Sequence, residues 1–342
     1  MIDEQVIFLD QVDLNPLNGS LIDPGTNVLN LIIDDGTPST DCCIIGKKFE
    51  WKPLIWMLHE MERINQLDKL RIILCQGLLG DDKKRNIQSN FGVEVEFFDL
   101  LIVGAYQFFL EAQGIAKNYQ PSVKDNKVYY SVGTMRLTRY FLAHWLQEHN
   151  IDFGRPRLAN RDIESLSHQL HRITEKDFSN YENISRRFFG ECTQDTYWEK
   201  HVDLLLKAKI CLVAEYPFFD WTEAFYDEKF THVLAAKSIP FFFGNKNDNA
   251  NIELLGFRSY VGIDYSADKI QDFANRWQML LDSNKNCLLD VAHMDTLHAK
   301  NKSVIDYNFD VLIHTDWKEM ALQKLDQLPS VPMDFIKDRF FK

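Results

Sequence analysis

The stretch Phe225-Tyr226-Asp227-Glu228-Lys229-Phe230-Thr231-His232, running on through Val233-Leu234-Ala235-Ala236-Lys237-Ser238 into Ile239-Pro240-Phe241-Phe242-Phe243-Gly244-Asn245, reads as three pieces. An acid–lysine pair opens a helix over about 225–237, a small-residue turn follows, and a buried strand at 240–243 ends in Gly-Asn. A helix that leads at once into an apolar strand is half of a βαβ unit, and its start then faces the carboxyl ends of the parallel strands. At such a place Glu228 can accept hydrogen bonds from ribose hydroxyls, while Lys229 and backbone N–H groups meet a diphosphate. The same residues also fit an ordinary βαβ unit with a surface Glu–Lys pair.

The flanking sequence repeats this alternation. Strands are predicted at 6–9, 27–33, 70–75 and 93–98, and a helix over 51–66. A strand at 127–132 precedes Gly133-Thr134-Met135-Arg136-Leu137-Thr138-Arg139 and a helix over 138–149. Beyond a polar stretch at 150–165, strands follow at 210–214, 240–243 and 260–263, with helices at 269–282, 306–313 and 317–325. Strands alternating with helices argue an α/β chain with parallel pairing. The expected architecture is two Rossmann-like domains facing a cleft. Residues 1–155 form the first, 156–315 the second, and 316–342 a helical tail that crosses back to the first.

Composition narrows the classes. The chain has 342 residues, 45% of them hydrophobic, with 25 phenylalanines, enough for two cores. A formal net charge of −12 gives no global pull on nucleic acid, although Lys83-Lys84-Arg85, Arg155 with Arg157, and Arg186-Arg187 are local basic runs. The six cysteines (Cys42, Cys43, Cys75, Cys192, Cys211 and Cys287) show no C-x-x-C spacing, so neither zinc nor redox motifs are supported. The start, Met1-Ile2-Asp3-Glu4, is acidic where a signal peptide would be basic, and no apolar run reaches about 18 residues. These features predict a cytoplasmic, reduced protein without a membrane span. His168 and His171 sit at i, i+3 with no third ligand at metal spacing, which reads as a helix surface.

One block carries a resemblance. It consists of Val213-Ala214-Glu215, Asp227-Glu228-Lys229-Phe230, Ile239-Pro240-Phe241 to Gly244, Leu254-Leu255-Gly256-Phe257 and Asp264-Tyr265-Ser266, in that order. It resembles the donor-binding half of glycosyltransferases of the GT-B architecture. The likeness is to the α1,3-fucosyltransferase type, and closer to glycosyltransferase-like proteins of phages and giant viruses. Arg136-Leu137-Thr138-Arg139, an Arg-x-x-Arg after a strand, is similar to a second motif of those viral proteins. Together the matches cover about a third of the chain. Four departures stand out: Asp227 replaces the usual Thr, Phe225 the usual Tyr, an extra acid, Glu223, sits on the approach, and the Asn-rich loop at 245–251 is longer.

The resemblance implies a nucleotide-sugar donor, with Glu228 on the ribose and Lys229 with Arg136 or Arg139 on the diphosphate leaving group. Charge builds there as the sugar–phosphate bond breaks, and guanidinium offers bidentate donors to phosphate. Tyr226 and Asn245 complete the expected donor set. No Asp-x-Asp pair of the metal-holding kind occurs, so no metal and no cofactor beyond the nucleotide-sugar co-substrate is expected. The base that deprotonates the acceptor is sought at Asp34 and Asp35, after a predicted strand, although Asp35-Gly36 is also a turn dipeptide. Asp81 and Asp82 are second choices and Glu215 a third.

The fucosyltransferase likeness implies inversion at the anomeric carbon. The viral likeness points to a hydroxymethylated DNA base as acceptor, in a host cytoplasm, and the negative charge points to a glycan. A non-catalytic nucleotide- or glycan-binding protein of the same fold is the alternative.

Overall fold

The computed structural model describes residues 4–8, 28–33, 44–45, 48–49, 58–59, 62–63, 70–75, 77–91, 96–119, 124–125, 128–130, 137–151, 163–174, 176–177, 194–214, 222–327 and 333–341. In chain order the strands are β1 (Glu4–Phe8), β2 (Val28–Ile33), β3 (Ile44–Ile45), β4 (Lys48–Phe49), β5 (Leu70–Leu74), β6 (Gly77–Leu79), β7 (Glu96–Asp99), β8 (Val128–Tyr130), β9 (Ile210–Ala214), β10 (Thr222–Phe225) and β11 (Ile239–Phe243). The helices are α1 (Asp81–Phe91), α2 (Leu101–Asn118), α3 (Leu137–Glu148), α4 (Ile163–Thr174), α5 (Gln194–Lys207), α6 (Glu228–Ala235), α7 (Asp248–Asn251), α8 (Phe273–Ser283), α9 (Lys285–Leu289), α10 (Val291–Lys300), α11 (Lys302–His314), α12 (Trp317–Asp326) and α13 (Met333–Phe340). The chain is thus mixed α/β, with two small parallel sheets and many helices.

It divides into two units. The first comprises Met1–Gln107, Phe218–Phe225 and Asp316–Lys342. Its main sheet has the order β1-β2-β5-β7, every pair parallel. Strands covered on both faces read as continuous apolar runs, and Leu29, Leu31, Ile72 and Ile73 are fully buried. At the β5–β7 pair Arg71 Nε donates to Glu96 at 2.8 Å, which matches charge across a half-exposed edge. β10 pairs antiparallel with β6, so residues 222–225 belong to this unit. Phe225, expected to open a helix, is instead the last residue of β10, opposite Gly77. The tail is held by Tyr106, whose hydroxyl donates to the Phe340 carbonyl and whose ring stacks on Phe341 at 4.8 Å.

The second unit, Phe108–Pro217 with Tyr226–Thr315, is built on the parallel sheet β11-β9-β8. β8 bonds to β9, and this pairing groups residues 128–130 and the following helix with the second unit. All five residues of β9 and of β11 are buried. Pro240 lacks an N–H, which is tolerated because among the described residues β11 has a single strand neighbour, β9.

Side chains alternate across the pleat. Tyr129 turns to one face, against His201 of α5, and Phe242 meets Phe230 of α6. Tyr130 turns to the other face and donates to the Arg139 carbonyl on α3, while Phe243 meets Trp277 of α8.

Residues 260–263, expected as a strand, pair with no strand. Three buried asparagines hold the surrounding backbone instead. The side-chain amide of Asn308 bonds both N–H and C=O of Arg258, at 2.8 and 2.9 Å. Asn301 does the same for Val261, at 2.7 and 2.8 Å. Asn284 does so for Asp264, at 2.7 and 2.9 Å. A primary amide presents one acceptor and two donors, so each asparagine replaces a strand partner at every third residue. Gly262 lies between two rungs at φ +89°, a conformation L side chains rarely adopt.

Candidate functional site

Several charged side chains of the second unit lie at the carboxyl edge of the β11-β9-β8 sheet. α6 ends at Ala235 and β11 starts at Ile239, so α6 runs against β11 and its first residues lie at that edge. Asp227 is the N-cap, and its carboxylate accepts from the Lys229 N–H at 2.8 Å. Asp caps as well as Thr does, so the departure at 227 keeps the cap and adds a charge. Thr231 is fully buried and its hydroxyl donates to the Phe108 carbonyl at 3.1 Å, anchoring α6 to α2.

Lys229 lies between two acids. Its ammonium contacts the second Asp227 oxygen and reaches Glu228 Oε1 at 3.2 Å. With both acids ionised the three side chains sum to −1. Burial, and then the neighbouring Asp227 charge, push the Glu228 carboxyl above its usual range, against the pull of Lys229. The Lys229 ammonium is thus already engaged by carboxylates.

Arg139 stands in the first turn of α3 and is 7% exposed. A cation at a helix N-terminus opposes the helix dipole. Here the Ala214 carbonyl, at the carboxyl end of β9, accepts from its Nε at 3.3 Å and fixes the guanidinium there.

The loop after β11 is tied down by buried charge. The Gly244 carbonyl accepts from Arg276 Nη2 at 2.7 Å and from Trp277 Nε1 at 3.2 Å. Arg276 Nη1 donates to the carbonyls of Ile270 and Gln271. A Cβ at Gly244 would lie 1.9 Å from Asp248 Oδ2 and 2.6 Å from the Phe242 ring, so a larger residue would displace both side chains. Asp248 accepts from the Asn245 N–H at 2.5 Å, and Asp268 accepts from Asn249 and Ala250. Burial raises the Asp268 carboxyl, while these hydrogen bonds and Arg276 oppose the shift. Tyr226 is buried and its hydroxyl donates to the Asp248 carbonyl at 2.6 Å, which joins this loop to the start of α6.

Of the residues singled out in the sequence, Arg139, Tyr226, Glu228, Lys229 and Asn245 lie along one sheet edge, Arg139 with the helix on one face and Glu228 and Lys229 with the helix on the other. Tyr226 points into the fold and bonds the loop, and Asn245 is 3% exposed. Arg136, Asp34, Asp35 and Glu215 lie outside the described residues. Asp81 begins α1 in the first unit and is exposed.

The sequence reading missed Asp248, Asp268 and Arg276. Their signal is a buried charge in a polar loop, which no short motif announces. Among the described residues no three His, Cys, Asp or Glu side chains converge as metal ligands, and no helix is long and apolar enough to cross a membrane. No protein-family model matches the chain, and no curated protein matches it.

Proposed function

We propose that the protein is a glycosyltransferase of the GT-B architecture that moves a sugar from a nucleotide-sugar to an acceptor hydroxyl. The first unit serves the acceptor and the second the donor. Transfer inverts the anomeric carbon and uses no metal, and the acceptor is a glycan or a hydroxymethylated DNA base. Support comes chiefly from one observation. Arg139 and Lys229, more than a hundred positions into the chain and far apart in sequence, belong to helices that start at the carboxyl edge of the same parallel sheet. In open α/β sheets ligands bind at that edge.

In this reading Glu228 accepts from the ribose hydroxyls. Lys229 exchanges Asp227 for the diphosphate, and Arg139 shares the charge that develops on the leaving group. Asp34, Asp35 and Glu215 are the proposed acceptor bases. The alternative, a binding protein that turns over no donor, predicts the same ligand affinity without product.

A thermal-shift panel of UDP-, GDP- and CMP-sugars tests the site, since a ligand specific for the folded state raises Tm. One donor class should raise Tm of the wild type, and Lys229→Ala should abolish the rise. An undiminished rise in that variant removes Lys229 from the site. Release of free nucleoside diphosphate in the presence of acceptor separates enzyme from binding protein.

A further inference from the structure

Lys124 of the second unit is set apart by what its amine touches. The side chain is half-buried just ahead of β8, and its Nζ donates to the Ala236 carbonyl at 2.6 Å and to the Ser238 hydroxyl at 2.8 Å. Ala236 is the C-cap of α6 and Ser238 precedes β11, so one amine pins the turn that joins them. The Ser238 hydroxyl itself donates to the Ala208 carbonyl at 2.9 Å, ahead of β9. Both partners of Lys124 are neutral. Among the described residues no carboxylate lies within ion-pair reach of its Nζ, whereas Lys207, Lys209, Lys237 and Lys302 each meet an aspartate. A paired lysine must give up an ion pair to become a free amine, and Lys124 gives up none.

We propose that Lys124 is a modification site: its amine takes the acyl group of a small acyl phosphate, and the acylation loosens the end of α6. The ammonium first gives a proton to solvent. The free amine then attacks the acyl carbonyl, a C–N bond forms, and the C–O bond to the phosphate breaks. Inorganic phosphate leaves with the electron pair, and a second proton passes from nitrogen to solvent. The product is a neutral amide with one N–H, so it keeps at most one of the two bonds that the ammonium made. That bond also loses the strength that a charged donor lends.

The surroundings suit an anionic donor and a neutral amine. Lys237 and Lys302 share one aspartate, Asp306, which leaves a surplus positive charge. His298 of α10 lies among these groups: the charges of Lys124 and Lys302 act on it, and it bonds the Lys237 backbone. Burial, and then the charge of Lys124, hold His298 below its ordinary range, so it is neutral at pH 7. Burial brings the Lys124 amine down to about 8, against the opposing effects of Cys211 and Asp125. Cys211 of β9 is itself pushed up to about 12 by burial and stays a thiol. At pH 8 about half of the Lys124 amine is then free, against about 0.4% for an ordinary lysine at about 10.4.

The consequence for a ligand rests on the reading of α6 as the donor helix. Lys124 grips the end of α6 opposite to Glu228 and Lys229, so its acylation weakens donor binding without removing a group that touches the donor.

The test treats the folded, full-length chain with a trace of acetyl phosphate between about pH 6.5 and 9.5 and reads the acetylation of each lysine by mass spectrometry. At pH 7.5 Lys124 should react about tenfold faster than the exposed Lys285 and Lys300. Its rate should level off above about pH 8 while theirs keep rising. A Lys124 that reacts no faster than those two, or whose rate still climbs at pH 9.5, would overturn the site. Hydrogen exchange tests the loosening. K124Q, neutral like the acylated side chain, should speed exchange of the amides at 234–238 about fivefold, and K124R, which keeps the charge, should not. Equal exchange in the two variants would overturn the loosening. Neither measurement needs a ligand, so if both behave as expected and no nucleotide-sugar raises Tm, the modification site stands and the donor-site reading falls.

Discussion

Two regions of the second unit hold their backbone with polar side chains, and they do so in opposite ways. The segment at 258–264 is held by Asn284, Asn301 and Asn308, which are neutral, buried and bonded on both amide atoms. The carboxyl edge of the sheet is held by Asp227, Asp248, Asp268 and Arg276, with Glu228 and Lys229 beside Asp227 and with Arg139 on the Ala214 carbonyl. The first region is held at Arg258, Val261 and Asp264 by neutral amides that satisfy both backbone groups of each. The second accumulates charge, and two of its carboxyls are pushed above their ordinary range by burial. A chain that needs only to fix its backbone can use amides. Crowded charges cost stability, and they persist where a charged partner can come and go. The amide ladder is scaffold, and the charged edge is where the donor proposed above would bind.

The largest effect should come from the ladder. Asn301 is fully buried, and Asn301→Ala strands the N–H and the C=O of Val261. The loss should be about 3 kcal/mol in urea unfolding, with the ligand-induced Tm rise unchanged in any protein that remains folded. A variant that kept its stability and lost the ligand response would invert the comparison.

Acid should act next, through the buried histidines. A histidine whose folded pKa lies below its unfolded value leaves the unfolded chain holding more protons between the two. For His201, at about 3, stability is therefore complete above about pH 6.5 and is lost as pH falls toward about 3. By about pH 4.5 the loss should be on the order of 2 kcal/mol. His144 and His298, also held down by burial, contribute with the same sign. Urea midpoints that stay level between pH 7 and pH 4.5 would show that these rings are protonated as easily in the folded chain.

The contrast between the two regions also explains what was legible in the sequence. β9 and β11 are apolar runs with turn residues at their ends, and they stand close to where the pattern put them. The cap at Asp227 and the acid–lysine pair are local signals, readable within a few residues. α2 escaped because Leu101 to Tyr106 are buried all round, so no amphipathic stripe marks them as a helix. β10 escaped because its partner β6 is over 140 positions away, and pairing leaves no local mark. The ladder escaped for the same reason, since Val261 and Asn301 are forty positions apart. The apolar residues Tyr260 and Ile263 look like a strand, and only their hydrogen-bond partners show that they are not one. Asp268 with Arg276 and His201 with His232 are likewise products of the tertiary fold.

The smallest effects should come from the start of α6, where the comparison is most easily broken. Asp227→Ala removes the cap on the Lys229 N–H and should cost about 1 kcal/mol. Asp227→Asn keeps an acceptor and should cost less. Glu228→Gln is the sharpest case. The Glu228 carboxyl titrates above its ordinary range because burial and Asp227 disfavour its charge. The folded chain therefore holds a proton there more readily than the unfolded chain, and ionised Glu228 weakens the fold at neutral pH. Its side chain is 43% exposed, so solvent screens most of the effect. Glu228→Gln should gain no more than about 0.5 kcal/mol at pH 7, and the gain should vanish on acidification. The same change deletes the acceptor proposed for the ribose hydroxyls, so the Tm rise with a nucleotide-sugar should be largely lost. Stability that holds while ligand response falls is the reverse of the outcome at Asn301. Equal losses of both in Glu228→Gln would make the carboxyl edge one more piece of scaffold.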